Sequence, residues 1–565
     1  MNIHSIFTNQ QDITFEKYLH YCGIENINEY LSAQVVEPFE HYDNIMESAQ
    51  LILDSIENNK PFYILQDSDQ DGVLSVCVQY MYLKKIRPNL NITVLMHDKN
   101  PKAHGLNDDQ IMKELIAKAS GIEGINSQVG ILWIADAGSN DTNECKKLKE
   151  YGYDIIITDH HDKTTDNPYA LIINNQFSNN VVNKSLSGTG VTFKLCQAID
   201  KINNTHYSRE LISYVHLSNI GDSCSFVNAE QHTFRIWGLK YLHPYLKPFI
   251  NEFNYNNGIN NIDFSFGVVS KINAVIRVGT LLEKQILFTA LTCGKSVDSA
   301  INICKKCKIA QDKQVNDILK NHITLDYGGA EYSEIMSYES KVDIYLVDQK
   351  TPLTGLIANK LMSQNNKPIL LVHYNKDTDH YDGSVRSPIE FREMCEQSGL
   401  FDYASGHAFA FGIGWSGCNM KNIINWLDSI IVSEPQITVL SSYSIKSLPT
   451  KLFSEFGANS SIPSLYGQGI NQPLVHVYNI TFNPKDIQIM GANKRTLKLI
   501  KNNISFLWFM VSNEDKKLLT EGSKKSLQIV GELGINEYNG YKNNQIIVKK
   551  FEITDAPKIA LDDIF

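Results

Sequence analysis

No run in this 565-residue chain approaches the ~18 consecutive apolar residues of a membrane span. The opening stretch, MNIHSIFTNQQDITFEKY, has neither a basic leader nor an apolar run, so a soluble cytoplasmic protein is expected rather than a secreted or anchored one. Ten cysteines are scattered without the spacing of a disulfide framework. The one CxxC, Cys304 to Cys307, lacks a second pair at zinc spacing and sits in a helix-like stretch, which favours buried thiols over a metal site. Internal repeats and low-complexity tracts are missing too. Positive charge is in short supply: the formal net charge is −10 and the pI near 5.9. Taken alone, that disfavours a phosphate-backbone partner. Carboxylates that hold cations, however, count as negative in a sequence while being neutralised in the working protein. The shortage is also uneven, because residues 480–550 carry 12 Lys and Arg against 6 Asp and Glu.

The length implies two to four domains. Short apolar runs recur at PFYILQD (61–67), NITVLMH (91–97), VGILWIAD (129–136), YDIIITD (153–159) and ALIINN (170–175). Amphipathic stretches separate them, as at 72–86 and 108–120. Such alternation predicts a mostly parallel sheet covered by helices, with ligands beyond the carboxyl ends of the strands. The first, third and fourth runs end in acidic residues, the first functional clue. Residues 186 to about 340 read mainly as helix, including one at 208–219. A second α/β unit follows, with strands near 342–348 and 368–374, a helix at 354–364 and a strand-turn-helix around 405–415. From about 435 the texture is β, in short strands with turn signals that predict a small closed barrel.

In DSDQDG, Asp67, Asp69 and Asp71 alternate after a strand and before a Gly that admits a tight entry to a helix. Three carboxylates this close repel one another unless divalent cations sit among them. A DxDxD string alone reads equally as a solvated acidic loop or a helix N-cap. Asp136 ends another apolar run in IADAGSND; Asp159, His160 and His161 end the next in ITDHHD; Asp222 follows a helix in HLSNIGDSCSF. Asp and His together suit Mn²⁺ or Mg²⁺, and two such ions ~3.5–4 Å apart can hold a scissile phosphate and a nucleophilic hydroxide.

DSDQDG, ADAGS, TDHH and NIGDS, in this order and at these spacings, resemble the four motifs of the DHH phosphoesterase superfamily. LSGTGVTFKL (186–195), KINAVIR (271–277), GLIANKL (355–361), GSVRS (383–387), SGHAFAFG (405–412) and SLYGQGINQP (464–473) further resemble RecJ-type single-strand exonucleases with their DHHA1 and OB-fold segments. The resemblance implies an α/β fold: a DHH parallel-sheet domain and a DHHA1 α/β domain linked by helices, then an OB-fold β-barrel. Expected boundaries are an N-terminal helical lead at 1–50, DHH at 51–225, a helical linker at 226–340, DHHA1 at 341–434, OB-fold at 435–556 and a tail at 557–565. It implies two divalent ions, Mn²⁺ ahead of Mg²⁺, on Asp69, Asp71, Asp136, His160 and Asp222, with Asp67 a ligand or close behind one and Asp136 bridging. His161 would face the scissile phosphate, oriented with its neighbours by Asp159.

A pocket for the 5′ end is implied at Ser384, Arg386, Ser387 and His407, with Arg277 of the linker; Glu390 is the acid with which a merely structural Arg386 would pair. The loop at 98–107 departs from the family's pattern, with Lys99 in an Arg position and His104 in a Tyr position. Both are expected to meet phosphate, Lys99 more weakly than an Arg would. Lys494, Arg495, Lys498 and Lys501, near Phe506, Trp508 and Phe509, suit a groove that tethers a single strand, the charges ahead of the rings. The implied activity is 5′→3′ hydrolysis of single-stranded DNA to mononucleotides by a monomer, in repair, recombination or replication. Two rivals are a phosphodiesterase for short oligoribonucleotides or cyclic dinucleotides and a catalytically dead DNA-binding relative. The segment after 435 argues against the first and the full set of carboxylates against the second. The tail KIALDDIF, with Leu561, Ile564 and Phe565, resembles peptides that dock on sliding clamps or those that single-strand-binding proteins present. A frayed end is the plainer reading of it.

Overall fold

The computed structural model describes all residues except 99–103, 121–127, 254–263, 326–340, 350, 366, 431–435, 458–464, 492–493, 539–540 and 556–565. Lys99 and the tail KIALDDIF therefore lie outside the described residues.

The five apolar runs form one wholly parallel sheet. Its strands are β1 (Phe62–Gln66), β2 (Ile92–Met96), β3 (Ile131–Ala135), β4 (Asp154–Asp159) and β5 (Leu171–Asn174), in spatial order β2-β1-β3-β4-β5. Alternation along the strands divides two cores. Ile64, Trp133 and Ile156 face the layer holding α1 (Gln70–Ile86) and α2 (Gly188–Asn203), while Leu65, Leu132, Ile134 and Ile157 face the helices Asp109–Ser120 and Thr142–Glu150. The chain reverses direction of travel between β1 and β3, so a crevice opens at their carboxyl ends. DSDQDG leaves β1 and ADAGS leaves β3. Sequence has put the acids on the two lips of that crevice.

Residues 188–321 are helical wherever they are described, apart from short connections. The expected helix at 208–219 begins as a 3₁₀ turn, Tyr207–Leu211, and continues as α3 (Ile212–Gly221). After a π-helical turn, Ser265–Val269, come α4 (Ser270–Val278), then Leu281–Cys293 with a Thr280/Glu283 capping box. The 25-residue helix Val297–Asn321, about 37 Å long at 1.5 Å per residue, leads into the second sheet. Cys304 and Cys307 are buried along it, as their helical setting implied.

The second sheet has six strands in the spatial order 403–407, 410–416, 380–386, 369–375, 343–347, 323–325. Its own cores lie on either side, one around Val385, Phe411 and Trp415, the other around Ile357 and Ile369. SGHAFAFG is not a strand-turn-helix: Tyr403–His407 and Ala410–Ser416 form an antiparallel hairpin. Alternating apolar residues continue through Phe409, Phe411 and Ile413, which is strand period rather than helix period. The third sheet has seven strands, dominated by the long pair Lys525–Tyr538 and Tyr541–Asp555.

The outer segments are more deeply built in than a lead and a tether would be. Ile3–Ser5 pairs in parallel with Ile437–Val439, and the Tyr18 hydroxyl donates to the Asn471 carbonyl at 2.6 Å. Arg235 donates to the Leu465 carbonyl at 2.9 Å, and Phe226 N–H to that of Gln468 at 2.9 Å. One apolar core runs without a break from Ile13 through the first sheet and the helices to Val548. The C-terminal β module is thus packed onto the metal-motif domain rather than hung from it.

Candidate active site

Asp67, Asp71, Asp136, Asp159 and His160 converge at the carboxyl edge of the first sheet, all but His160 with 2% exposure or less. Three overlapping sets of potential ligand atoms lie within 4.8 Å of one another: Asp67, Asp69 and Asp136; Asp71, His160 and Asp222; Asp136, His160 and His161. Asp136 is shared between the first and third sets, and His160 between the second and third. His160 Nε2 lies 3.1 Å from Asp136 and 3.8 Å from Asp71, and its Nδ1 lies 3.6 Å from Asp222.

Local structure fixes each acid. Asp69 is the N-cap of α1 and accepts from Gly72 N–H at 3.2 Å, so one residue both caps the helix and lies among the clustered acids. Asp71 faces the start of α2, accepting from Gly188 N–H at 2.7 Å, Thr189 N–H at 2.9 Å and the Thr189 hydroxyl at 2.6 Å. Ser218 of α3 donates to it as well. Asp136 sits in the left-handed region at φ +63°, and a Cβ at residue 188 would come within 2.7 Å of its side chain. Gly188 is therefore required by close approach, and the unusual backbone of Asp136 turns its carboxylate into the crevice. Asp222 caps the C-terminus of α3, one turn beyond Ser218.

Burial, then the charges of Asp71, Asp69, Asp67 and Asp222, drive the Asp136 carboxyl well above the usual carboxylate range. Burial likewise raises Asp222, opposed by His160 and His407 and reinforced by Asp71 and Asp69. Such mutual repulsion among acids, relieved by few cations of the chain itself, is the electrostatic signature of a place for divalent metal. The donor set of carboxylate oxygens and imidazole fits Mn²⁺ or Mg²⁺.

Asp159 does something different. Its Oδ1 accepts from His160 N–H at 2.7 Å, His161 N–H at 3.2 Å and His161 Nδ1–H at 2.7 Å, while Oδ2 accepts from Ser139 N–H at 3.2 Å. Burial alone would raise Asp159, but the charge and hydrogen bond of His161 hold it far below the carboxylate range. Reciprocally, partial desolvation by the surrounding crevice works to lower His161, and Asp159 overrides it to bring the imidazole to about 10. The His161 ring is 55% exposed, so a tethered imidazolium stands open to the crevice. Asn174 of β5 anchors the same turn, donating to the His161 carbonyl at 3.0 Å.

The other implied residues divide. Arg277 of α4 lies within the field of Asp69, and Asn273, one turn earlier on the same face, accepts from Gln70 N–H at 3.2 Å. Arg386 is pulled down to about 10 by burial and then by the charge of Arg277. A guanidinium stays protonated in proteins, so Arg277 and Arg386 are two desolvated cations held near one another. Glu390 makes no ion pair with Arg386 among the described residues; the guanidinium donates to the Val385 carbonyl at 2.7 Å. Ser384 shares the strand face of Arg386. His407, on the hairpin, is exposed and close enough to lower Asp222 electrostatically, which brings the second sheet up to the metal crevice. Arg392 reaches Asp162 across the same gap at 3.5 Å.

Ser387 is buried and spent locally, its hydroxyl bonded to Ile389 N–H at 3.1 Å and the Ile389 carbonyl at 2.7 Å. Arg495 is likewise engaged, donating to the carbonyls of Val511 at 3.1 Å and Met510 at 3.2 Å, and Lys501 pairs with Asp486 at 2.9 Å. Phe506 and Trp508 belong to the core, leaving Phe509 exposed beside the strand that carries Lys498. Lys494 stands just before that strand at φ +54°. His104 is also not free, since its Nδ1 lies 3.0 Å from Asp67.

Sequence reading passed over Gly188, Thr189, Ser218, Ser139, Asn174 and Asn273. Helical spacing was a usable signal for two of them: Ser218 precedes Asp222, and Asn273 precedes Arg277, by one turn each.

Comparison with known proteins agrees with this geometry. Residues 61–218 match the DHH family, N-terminal domain, and residues 455–550 match the RecJ OB domain. A putative prophage-derived single-strand DNA-specific exonuclease, YorK of Bacillus subtilis (strain 168), is 27% identical over 552 residues, covering 91% of each chain. The single-stranded-DNA-specific exonuclease RecJ of the same organism is 24% identical over 540 residues, covering 93% of this chain and 65% of that one. RecJ of Thermus thermophilus, solved in complex with Mn²⁺, shares the fold with a TM-score of 0.71 at 17% identity, covering 91% of this chain and 72% of that one. The chain thus carries a match to the DHH N-terminal domain and a match to the RecJ OB domain, joined through one shared core, in a fold shared with RecJ.

Proposed function

We propose that this protein is a metal-dependent exonuclease that hydrolyses single-stranded DNA from its 5′ end and releases mononucleotides. The observation that carries the reading is the overlapping set Asp67, Asp69, Asp71, Asp136, His160 and Asp222, buried except for the partly exposed Asp69 and Asp222 and too crowded with negative charge to stand without cations. Asp67, Asp69 and Asp136 would hold one ion and Asp71, His160 and Asp222 a second, with Asp136 between them. Two such ions, when bound, supply Lewis acidity and neutralise the charge that gathers on the phosphoryl oxygens.

The chain's own residues account for the rest. Asp159 clamps His161 so that its second ring nitrogen faces the crevice as an acid. As water adds to phosphorus and the ester P–O bond breaks, the leaving oxygen takes the proton from that nitrogen. Arg277, near Asp69, and Arg386, near Arg277, suit a terminal phosphate dianion, and a 5′ end held by them would lie next to the metals, as exonucleolytic release requires. We read the six-stranded unit as the DHHA1 part, holding that end through Arg386, Ser384 and His407. The names of YorK and RecJ support single-stranded DNA as substrate.

The test is hydrolysis of 5′- and 3′-labelled single strands, DNA and RNA, with Mn²⁺. The expected result is immediate release of the 5′ label from DNA as mononucleotide, with the 3′ label retained in shortening products. Release of the 3′ label first, or cleavage confined to dinucleotides, contradicts the reading.

A further inference from the structure

We propose that His104 is a positioning residue of the metal centre: it holds the Asp67 carboxylate in its ligating orientation rather than gripping substrate. The proposal deepens the metal-site reading above and rests on it. Residues 104–106 lie at the crevice, and two of their groups meet Asp67. His104 Nδ1 is 3.0 Å from Oδ2, and Gly105 N–H donates to Oδ1 at 3.2 Å. A carboxylate can only accept, so the Nδ1 nitrogen carries the proton.

The loop is pinned for this purpose. Leu106 N–H donates to Asp141 at 2.7 Å, and Gly105 takes φ +53° where a Cβ would stand 2.3 Å from the same Asp141 oxygen. Only glycine lets the backbone approach both acids at once, and that approach delivers residue 104 to Asp67. Asp67 itself is 2% exposed at the end of β1, and its charge is among those that raise Asp136.

The arrangement repeats a pattern found across the crevice. Asp159, buried at the end of β4, holds the 55% exposed ring of His161 through Nδ1. Asp67, buried at the end of β1, engages the 60% exposed ring of His104 through Nδ1. The dependence runs in opposite directions. Asp159 meets three N–H donors of its own turn and the Ser139 amide, and orients its histidine, whereas Asp67 belongs to a ligand set and is oriented by its histidine. Ligating carboxylates are commonly held by such hydrogen bonds, and losing one typically costs 10–100-fold in metal affinity.

The experiment measures Mn²⁺ binding directly, by the paramagnetic resonance of free Mn²⁺ and by calorimetry, with kcat and KM measured alongside. His104→Ala should weaken Mn²⁺ binding by about 10-fold or more, lower kcat at limiting Mn²⁺, and leave KM for the strand unchanged. His104→Asn keeps an N–H donor near the Nδ1 position and should recover most of the lost binding. Unchanged Mn²⁺ affinity in His104→Ala with a raised KM makes the residue a substrate contact and overturns the proposal. Equal weakening by Asn and Ala overturns the donor role. Asp136→Ala serves as the control for the site itself: if it binds Mn²⁺ as tightly as the native protein, the metal centre is elsewhere and the proposal falls with it.

Discussion

Replacing Asp159 by Asn changes one oxygen to nitrogen and nothing in size, yet it should be among the most damaging substitutions in the chain. Both oxygens of Asp159 are committed as acceptors, Oδ1 to three N–H groups and Oδ2 to the Ser139 amide. An Asn amide must therefore point its NH₂ at one donor or at three. The kinder orientation opposes Ser139 N–H and leaves that buried donor unsatisfied, at about 1–3 kcal/mol in stability. The imidazole of His161 also loses the charge that raises it, so the acid is weakened along with its clamp. For an acid whose orientation and charge both depend on one buried carboxylate, a fall of roughly 10²–10⁴-fold in kcat is expected. The assay is mononucleotide release from a 5′-labelled strand at saturating Mn²⁺, with thermal melting to confirm folding. Activity within about threefold of native in a folded Asp159→Asn protein would refute the Asp159–His161 account.

Other perturbations probe separate parts. Arg386→Ala should cost roughly 1.5–3 kcal/mol of binding to 5′-phosphorylated strands and much less to 5′-hydroxyl strands; equal loss on both would make Arg386 a general contact. Arg392→Ala and Asp162→Ala should each destabilise by under about 1 kcal/mol, and the double variant should be no worse than either single one in a melting series. His216 packs against Phe226 and Phe264 with neither ring nitrogen bonded among the described residues, and burial followed by the charge of Arg235 depresses it from 6.5 to about 3. A depressed histidine contributes stability that is whole above pH 6.5 and drains away as pH falls toward about 3. His216→Phe should therefore flatten the acid limb of a melting-temperature profile, and an unchanged limb would exonerate that residue. Truncation after residue 434 should give an aggregating protein, because it bares the core shared by Phe456, Tyr466 and Phe15; a soluble fragment that melts cooperatively would contradict that packing.

Much of the parallel sheet was legible because its strands are continuous apolar runs ending in acid, a pattern local in sequence. Five predicted runs correspond to β1 through β5 with shifts of a residue or two. The acids were legible for the same reason, since strand ends place them. What holds the acids was not, because Gly188, Thr189 and Ser218 reach Asp71 from helices more than a hundred residues away. The hairpin at 403–416 differs from the strand-turn-helix that the sequence predicts, because Gly406 sits within a strand at φ +133°. Nor could periodicity show that the first and last segments share a core. The pairing of Ile3–Ser5 with Ile437–Val439 leaves no mark on either stretch, and the contacts of Phe15 with Phe456 join residues that read as ordinary amphipathic positions. Neither the resemblance that implies Ser387 nor the local basic charge around Arg495 shows that a tight turn and carbonyl oxygens already engage these side chains.

The central claim is that Asp136 joins two cation sites at which phosphodiester bonds are cut. Asp136→Ala, compared with the native protein on a 5′-labelled single strand across a Mn²⁺ titration, tests it most directly. The account predicts a folded protein whose turnover falls by at least ~10³-fold at every Mn²⁺ concentration and whose Mn²⁺ binding is weakened. Near-native hydrolysis by a folded Asp136→Ala protein would contradict it.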